Sequence, residues 1–141
     1  MKLYIGTELI NARPMNRADY NTLRGWNLPP DEDGADDGYL VEYHDGGNPN
    51  VEGYAGYVSW TTKVQFENVY RPADSLNFGL AVEALKKGMR VTRKGWNGKD
   101  MYLFLLNGSQ FVVSDMKTVQ GYVVPWLASQ TDILSDDWQI L

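Results

Sequence analysis

The chain has 141 residues, a mass of 16.0 kDa, 43% apolar and 22% charged residues, and a formal net charge of −5. Such a balance fits a folded chain of one ordinary domain or two very small ones and excludes full disorder. With no cysteine and a single histidine, His44, disulfides, Cys-based zinc or iron–sulfur sites, thiol nucleophiles and a His-rich metal site are all excluded.

The longest apolar run, Met101 to Leu106, has six residues, too few to span a membrane. The start MKLYIGTELI meets Gly6 and Glu8 too early for a secretory leader, so a cytoplasmic protein is expected. Charge is unevenly placed. Residues 1–73 hold six Lys or Arg against eleven Asp or Glu, whereas residues 74–141 hold seven of each. Five of the acids lie between Asp31 and Asp37, the pattern of a solvated loop, and six basic residues lie between Lys86 and Lys99. An acidic chain lacks the broad basic face of a duplex nucleic-acid binder, but a local basic pocket suffices for a small anion.

In chain order, Leu3 to Ala12 reads as a strand interrupted at Gly6. Asn16 reads as a helix N-cap, with Met15 and Tyr20 spaced as a hydrophobic staple and Gly25 as the stop. Pro29-Pro30 and the acidic run predict a loop. Gly38 to Tyr43 reads as a strand, Gly46 to Asn50 as a turn, and Tyr54 to Trp60 as the return strand. Thr61 or Thr62 then caps a helix whose Phe66, Val69 and Tyr70 share a face, stopped by Pro72. The seam Arg71-Pro72-Ala73-Asp74 divides the chain into a module over 1–72 and a domain over 73–141.

Beyond the seam, Asp74 or Ser75 is expected to cap a helix with Phe78, Ala81, Val82 and Leu85 on its apolar face. Glu83 and Lys87 are spaced as an i,i+4 pair, and Gly88 is the C-terminal stop. Met89 to Arg93 alternates as a strand. Gly95-Trp96-Asn97-Gly98 marks a turn, Met101 to Leu106 a central strand, and Asn107-Gly108 a hairpin. Short strands are expected at Phe111 to Val113, Tyr122 to Val124 and around Trp138 and Ile140. The fold class is α+β: one amphipathic helix on a small antiparallel sheet in the C-terminal half, preceded by an α+β module.

The residue inventory does not suggest catalysis. His44 sits beside Asp45 in a turn-rich stretch, Asp136-Asp137 reads as a solvated turn, and neither a P-loop nor a G-x-G-x-x-G is present. Binding has more support. Trp96 and Trp126 lie at turns among small polar and basic residues, where each is either core or a stacking surface. Indole faces stack on nucleobases, and Asn, Gln and Asp side chains bond ribose hydroxyls and base edges. Arg93 and Lys99 can meet phosphates, alongside backbone N–H groups at the neighbouring glycines.

The ordered markers Asn77-Phe78-Gly79, Arg93 to Lys99, Met116-Lys117-Thr118, Pro125-Trp126, Ser129-Gln130-Thr131-Asp132 and Asp136-Asp137-Trp138 resemble the second Thoeris anti-defence family of phage proteins over about residues 75–141. The resemblance implies a sponge in the host bacterial cytoplasm. Such a protein binds and sequesters, without cleaving it, a cyclic ADP-ribose-type immune signal (glycocyclic ADP-ribose), and in some members cyclic oligonucleotide signals. It further implies a homotetramer with pockets between protomers; with Arg93, Lys99 and backbone N–H groups to meet the phosphates, no metal or cofactor is expected. Trp96 and Trp126 would be base-stacking walls, with Phe78 beside them; Asn97, Ser129, Gln130 and Asp132 would contact ribose or phosphate. The segment between Leu106 and Met116 is short where some relatives carry a long insertion. Residues 1–72 resemble another short phage module, through Tyr4 to Thr7, Arg24-Gly25-Trp26, Gly38 to Tyr43 and Tyr57 to Trp60. A role in assembly, in extending the pocket, in binding a host partner, or as a structural appendage is open to it. Two other functions stay open for the whole chain: a phosphodiesterase acting on the same signal, and a phage structural or assembly protein.

Overall fold

A computed structural model describes residues 1–96, 101–108, 110–115 and 123–141, with no side-chain detail at 113–115. The chain forms two compact units, Met1–Tyr70 and Arg71–Leu141. Both are α+β with antiparallel sheets. Among the described residues no helix is long and apolar enough to cross a membrane.

The first unit runs β1 (Ile10–Pro14), α1 (Arg17–Arg24), β2 (Gly38–Tyr43), β3 (Val58–Thr62) and α2 (Lys63–Val69), with sheet order β1-β2-β3. Asn16 caps α1 by accepting from the Asp19 N–H at 2.8 Å, and Gly25 ends it with a φ of 68°. Alternation along β2 sends Leu40 to one face, where it meets Tyr20, Val58, Met15 and Trp60. On the opposite face Tyr39 stacks on Phe66 of α2 at 4.0 Å. The two helices thus cover the two faces of the sheet.

Two strands differ from expectation. The first spans Ile10–Pro14 rather than Leu3 to Ala12, and Leu3, Tyr4 and Ile5 are 84–100% exposed. Its partner β2 ends at Tyr43, opposite Ile10, so the residues upstream have no strand to pair with. The return strand is Val58–Thr62 rather than Tyr54 to Trp60. The Glu42 carboxylate takes the Ala55 and Gly56 N–H groups at 2.8 and 3.1 Å, while the Asn50 side chain bonds both backbone groups of Val58. A side chain therefore replaces the ladder at 55 and 56, while the Tyr54 N–H bonds the Val51 carbonyl. This approach leaves no room at Gly56, where an added Cβ would lie 2.1 Å from the Tyr43 carbonyl oxygen. Gly56→Ala is expected to destabilise the first unit by on the order of 1–3 kcal/mol, read as a lower melting temperature. Gly6→Ala, with nothing within 4 Å of the new Cβ, should melt like the parent.

The second unit contains α3 (Phe78–Lys86), β4 (Val91–Arg93), β5 (Met101–Leu106), β6 (Gln110–Asp115), β7 (Val123–Pro125), α4 (Gln130–Leu134) and β8 (Trp138–Ile140), with sheet order β7-β6-β5-β4-β8. The apolar run forms the central strand, as its composition predicts. Positive φ at Asn107 (52°) and Gly108 (71°) turns β5 back into β6. Leu76, Ala81, Ala84, Leu85, Val91, Leu103 and Trp138 are the buried core.

The cap of α3 is Asn77, accepting from the Leu80 N–H at 2.8 Å, not Asp74 or Ser75. Leu76 exchanges two backbone bonds with Trp138, which keeps the chain extended up to the cap. Glu83 pairs with Lys86 at 3.4 Å rather than with Lys87, which is the C-cap and lies past the last helical residue. Gly88 follows with a φ of 86°.

Candidate functional site

The chemistry-bearing residues of the second unit meet where the end of β4, the segment after β7, the start of α4 and β8 converge. Trp138 is fully buried and forms the hub of an aromatic cluster. Phe78, Trp96 and Trp126 pack around it, with ring centroids 5.6, 5.4 and 6.0 Å away. Trp96 and Trp126 also meet each other at 6.3 Å and 60°. Phe78, Trp96 and Trp126 are only partly buried. These three share the lining of the core with an exposed side, so the structure gives them features of both readings, core and surface. The Trp126 N–H bonds the Phe111 carbonyl at 3.0 Å, which fixes the turn after β7.

Beneath the aromatic rings lies a charge network. Arg93 donates through Nε and Nη2 to the two carboxylate oxygens of Asp137, at 2.8 and 3.3 Å, and through Nη1 to Asp132 Oδ1 at 2.8 Å. Its side chain is 11% exposed. Asp132 Oδ1 also accepts from the indole Nε1 of Trp96 at 3.2 Å, and its Oδ2 from the Ser129 N–H at 3.1 Å. The Ser129 hydroxyl accepts from the Asp132 N–H at 3.0 Å, which closes a capping box at the start of α4. The Asp132 carbonyl takes the Trp138 indole N–H at 2.9 Å, and Asp137 Oδ2 takes the Gly95 N–H at 2.8 Å.

Charge state follows from these partners. The hydrogen bonds it donates to Asp137 hold the Arg93 guanidinium above its ordinary value. Burial pushes Asp132 upward, but the donors Ser129, Arg93 and Trp96 outweigh it and leave its carboxyl below the usual range. Arg93 and the Gly95 N–H hold Asp137 low as well. Carboxylates depressed in the folded state contribute stability that is fully present above the unfolded carboxylate pKa and lost as pH falls through the folded one. The melting temperature is therefore expected to fall as pH drops below about 4. The gap between the parent and Asp137→Asn should narrow over the same range. A gap that stays constant down to pH 2 contradicts this.

The sequence-predicted residues thus divide. Trp96, Trp126 and Phe78 come together at the half-exposed surface. Gln130 and Ser129 lie exposed at the start of α4. Arg93 is turned inward onto two carboxylates, and Asp132 is 8% exposed and held by protein donors. Asn97 and Lys99 lie outside the described residues. Sequence reasoning passed over Asp137 as a turn residue and did not mark α4, although Ser129-Gln130-Thr131-Asp132 carries the spacing of a capping box. A separate surface cavity of about 390 Å³ is lined by Leu85, Lys86, Arg90, Tyr102 and Phe104, among others, and contains none of the predicted residues. Among the described residues no group of three His, Asp or Glu side chains is placed to hold a metal ion.

Comparison with known proteins places this region within one family. The sequence model of the Thoeris anti-defense 2-like domain matches residues 76–141. A curated protein of Bacillus phage SP01, Thoeris anti-defense 2, is 39% identical over 85 residues, a match covering 47% of this chain and 94% of that protein. Every side chain of the aromatic cluster and of the charge network falls inside the residues matched by the family.

Proposed function

The chain belongs to the Thoeris anti-defense 2 family, and from that premise we propose that it counters Thoeris defence in the cytoplasm of a phage-infected bacterium as a sponge. It binds and sequesters glycocyclic ADP-ribose without cleaving it, and takes up cyclic oligonucleotide signals in the same manner. The observation that carries the reading is the half-exposed aromatic surface of Phe78, Trp96 and Trp126, backed by a buried tryptophan. Flat apolar faces held in fixed orientation stack on an adenine at about 1–3 kcal/mol per base. In this reading Gln130, Ser129 and Asn97 meet ribose hydroxyls, and Lys99 meets the phosphates. Arg93, with its guanidinium bonded to Asp132 and Asp137, supports the surface from below. The unit of residues 71–141 is too small to enclose a dinucleotide-sized ligand by itself, so in this reading the pocket is completed between protomers of a homotetramer.

The test is incubation with glycocyclic ADP-ribose, removal of unbound ligand, heat denaturation and chromatography of what is released. Intact ligand is expected, also in the presence of EDTA, with a tetramer by light scattering. A cleaved product favours the phosphodiesterase. Ligand that stays in solution throughout favours the structural protein. A 16 kDa monomer at micromolar concentration removes the intersubunit pocket.

A further inference from the structure

We propose that Asp132 is a positioning residue: it locks the Trp96 indole in its stacking orientation by accepting the Nε1 hydrogen, and does not itself touch the ligand. For its ligand this rests on the sponge reading above.

An indole carries one polar handle, its N–H, and rotation about its outer torsion is otherwise only broadly restricted. On Trp96 that handle ends on Asp132 Oδ1 at 3.2 Å, while the Trp96 backbone N–H bonds the Arg93 carbonyl at 3.2 Å. The backbone at its root and the ring at its tip are therefore each held by one bond. Asp132 has little capacity left for a ligand. Its two oxygens already accept from Arg93, Trp96 and Ser129, and the residue is 8% exposed. A bare carboxylate beneath a phosphate-bearing ligand would also repel it. Arg93, bonded at once to Asp132 and Asp137, offsets one of the two carboxylate charges. Asp137 completes the frame by holding the Gly95 N–H at 2.8 Å, one residue before Trp96.

The experiment combines calorimetry and amide spectroscopy on the full chain. Titration with glycocyclic ADP-ribose is run on the parent, Asp132→Ala, Trp96→Phe and the double variant. Asp132→Ala, which leaves no acceptor for the indole, is expected to weaken binding about tenfold in the parent background. In the Trp96→Phe background, which has no indole hydrogen to hold, it should weaken binding less than about threefold. In the ligand-free protein, the Trp96 indole N–H, identified by its loss in Trp96→Phe, should exchange slowly with solvent, and rapidly in Asp132→Ala. The proposal is overturned by parent-like affinity in Asp132→Ala, by the same tenfold loss in both backgrounds, or by a Trp96 indole that exchanges as fast as that of the exposed Trp26. If Asp132→Ala fails to fold, the exchange rate in the parent and the affinity of Trp96→Phe decide. Fast exchange or parent-like binding then overturns it. A parent that binds nothing removes the sponge reading and leaves the exchange result to judge the positioning of Trp96.

Discussion

Replacing Trp138 with alanine is expected to remove about 3–5 kcal/mol of stability from the second unit. The side chain is fully buried, touches Phe78, Trp96 and Trp126, and donates its indole N–H to the Asp132 carbonyl at 2.9 Å. Truncation leaves a ring-sized cavity and strips that carbonyl of its donor. For a unit of this size each kcal/mol shifts the midpoint by roughly 4–8 °C, so the melting temperature should fall by more than about 12 °C. Its backbone also exchanges bonds with Leu76, so the extended approach to α3 should loosen with it. A thermal melt of Trp138→Ala within about 5 °C of the parent would show that the hub is dispensable.

Trp96→Ala and Trp126→Ala are expected to act chiefly on binding. Loss of a stacking face costs roughly 1–3 kcal/mol, or about 5- to 150-fold in affinity for glycocyclic ADP-ribose by calorimetry. Both rings also pack on Trp138, so some stability goes with them. Because each is only partly buried, the loss should be near 1–2 kcal/mol, clearly below that of Trp138→Ala. Affinity and melting temperature measured on the same three variants therefore separate the roles. If Trp96→Ala and Trp126→Ala melt as low as Trp138→Ala, or bind as tightly as the parent, the rings are core and the site lies elsewhere.

Much of the second unit was legible because its signals are local. The six-residue apolar run is the central strand, Gly88 and Asn107-Gly108 turn the chain where their backbone freedom predicts, and Trp138 is buried as its alternation with Ile140 requires. What was not legible depends mostly on a partner distant in sequence. Arg93 finds its carboxylates 39 and 44 residues away, so its inward-facing ion pairs could not be read from the local sequence. Asp137 read as solvated for the same reason. In the first unit, Leu3 to Ile5 has strand composition but no pairing strand within its unit, since β2 stops opposite Ile10. The capping box of α4 is a different case. Its spacing is visible in the sequence, and Ser129 and Asp132 satisfy a helix end whatever else they contact.

That capping box has an evolutionary consequence. Asp132 serves as helix cap, counter-ion and indole acceptor at one position. A substitution there changes three structures together, so its effect will depend strongly on what occupies 93, 96 and 129. Exposed neighbours such as Leu127, Gln130 and Thr131 carry no such linkage in the bonds described and can vary one at a time. Drift toward a different ligand would then begin at those rim positions, with the Arg93–Asp132–Asp137 frame inherited nearly unchanged. Chimeras that exchange only the rim between family members should keep their fold, whereas single exchanges at 132 should need companions.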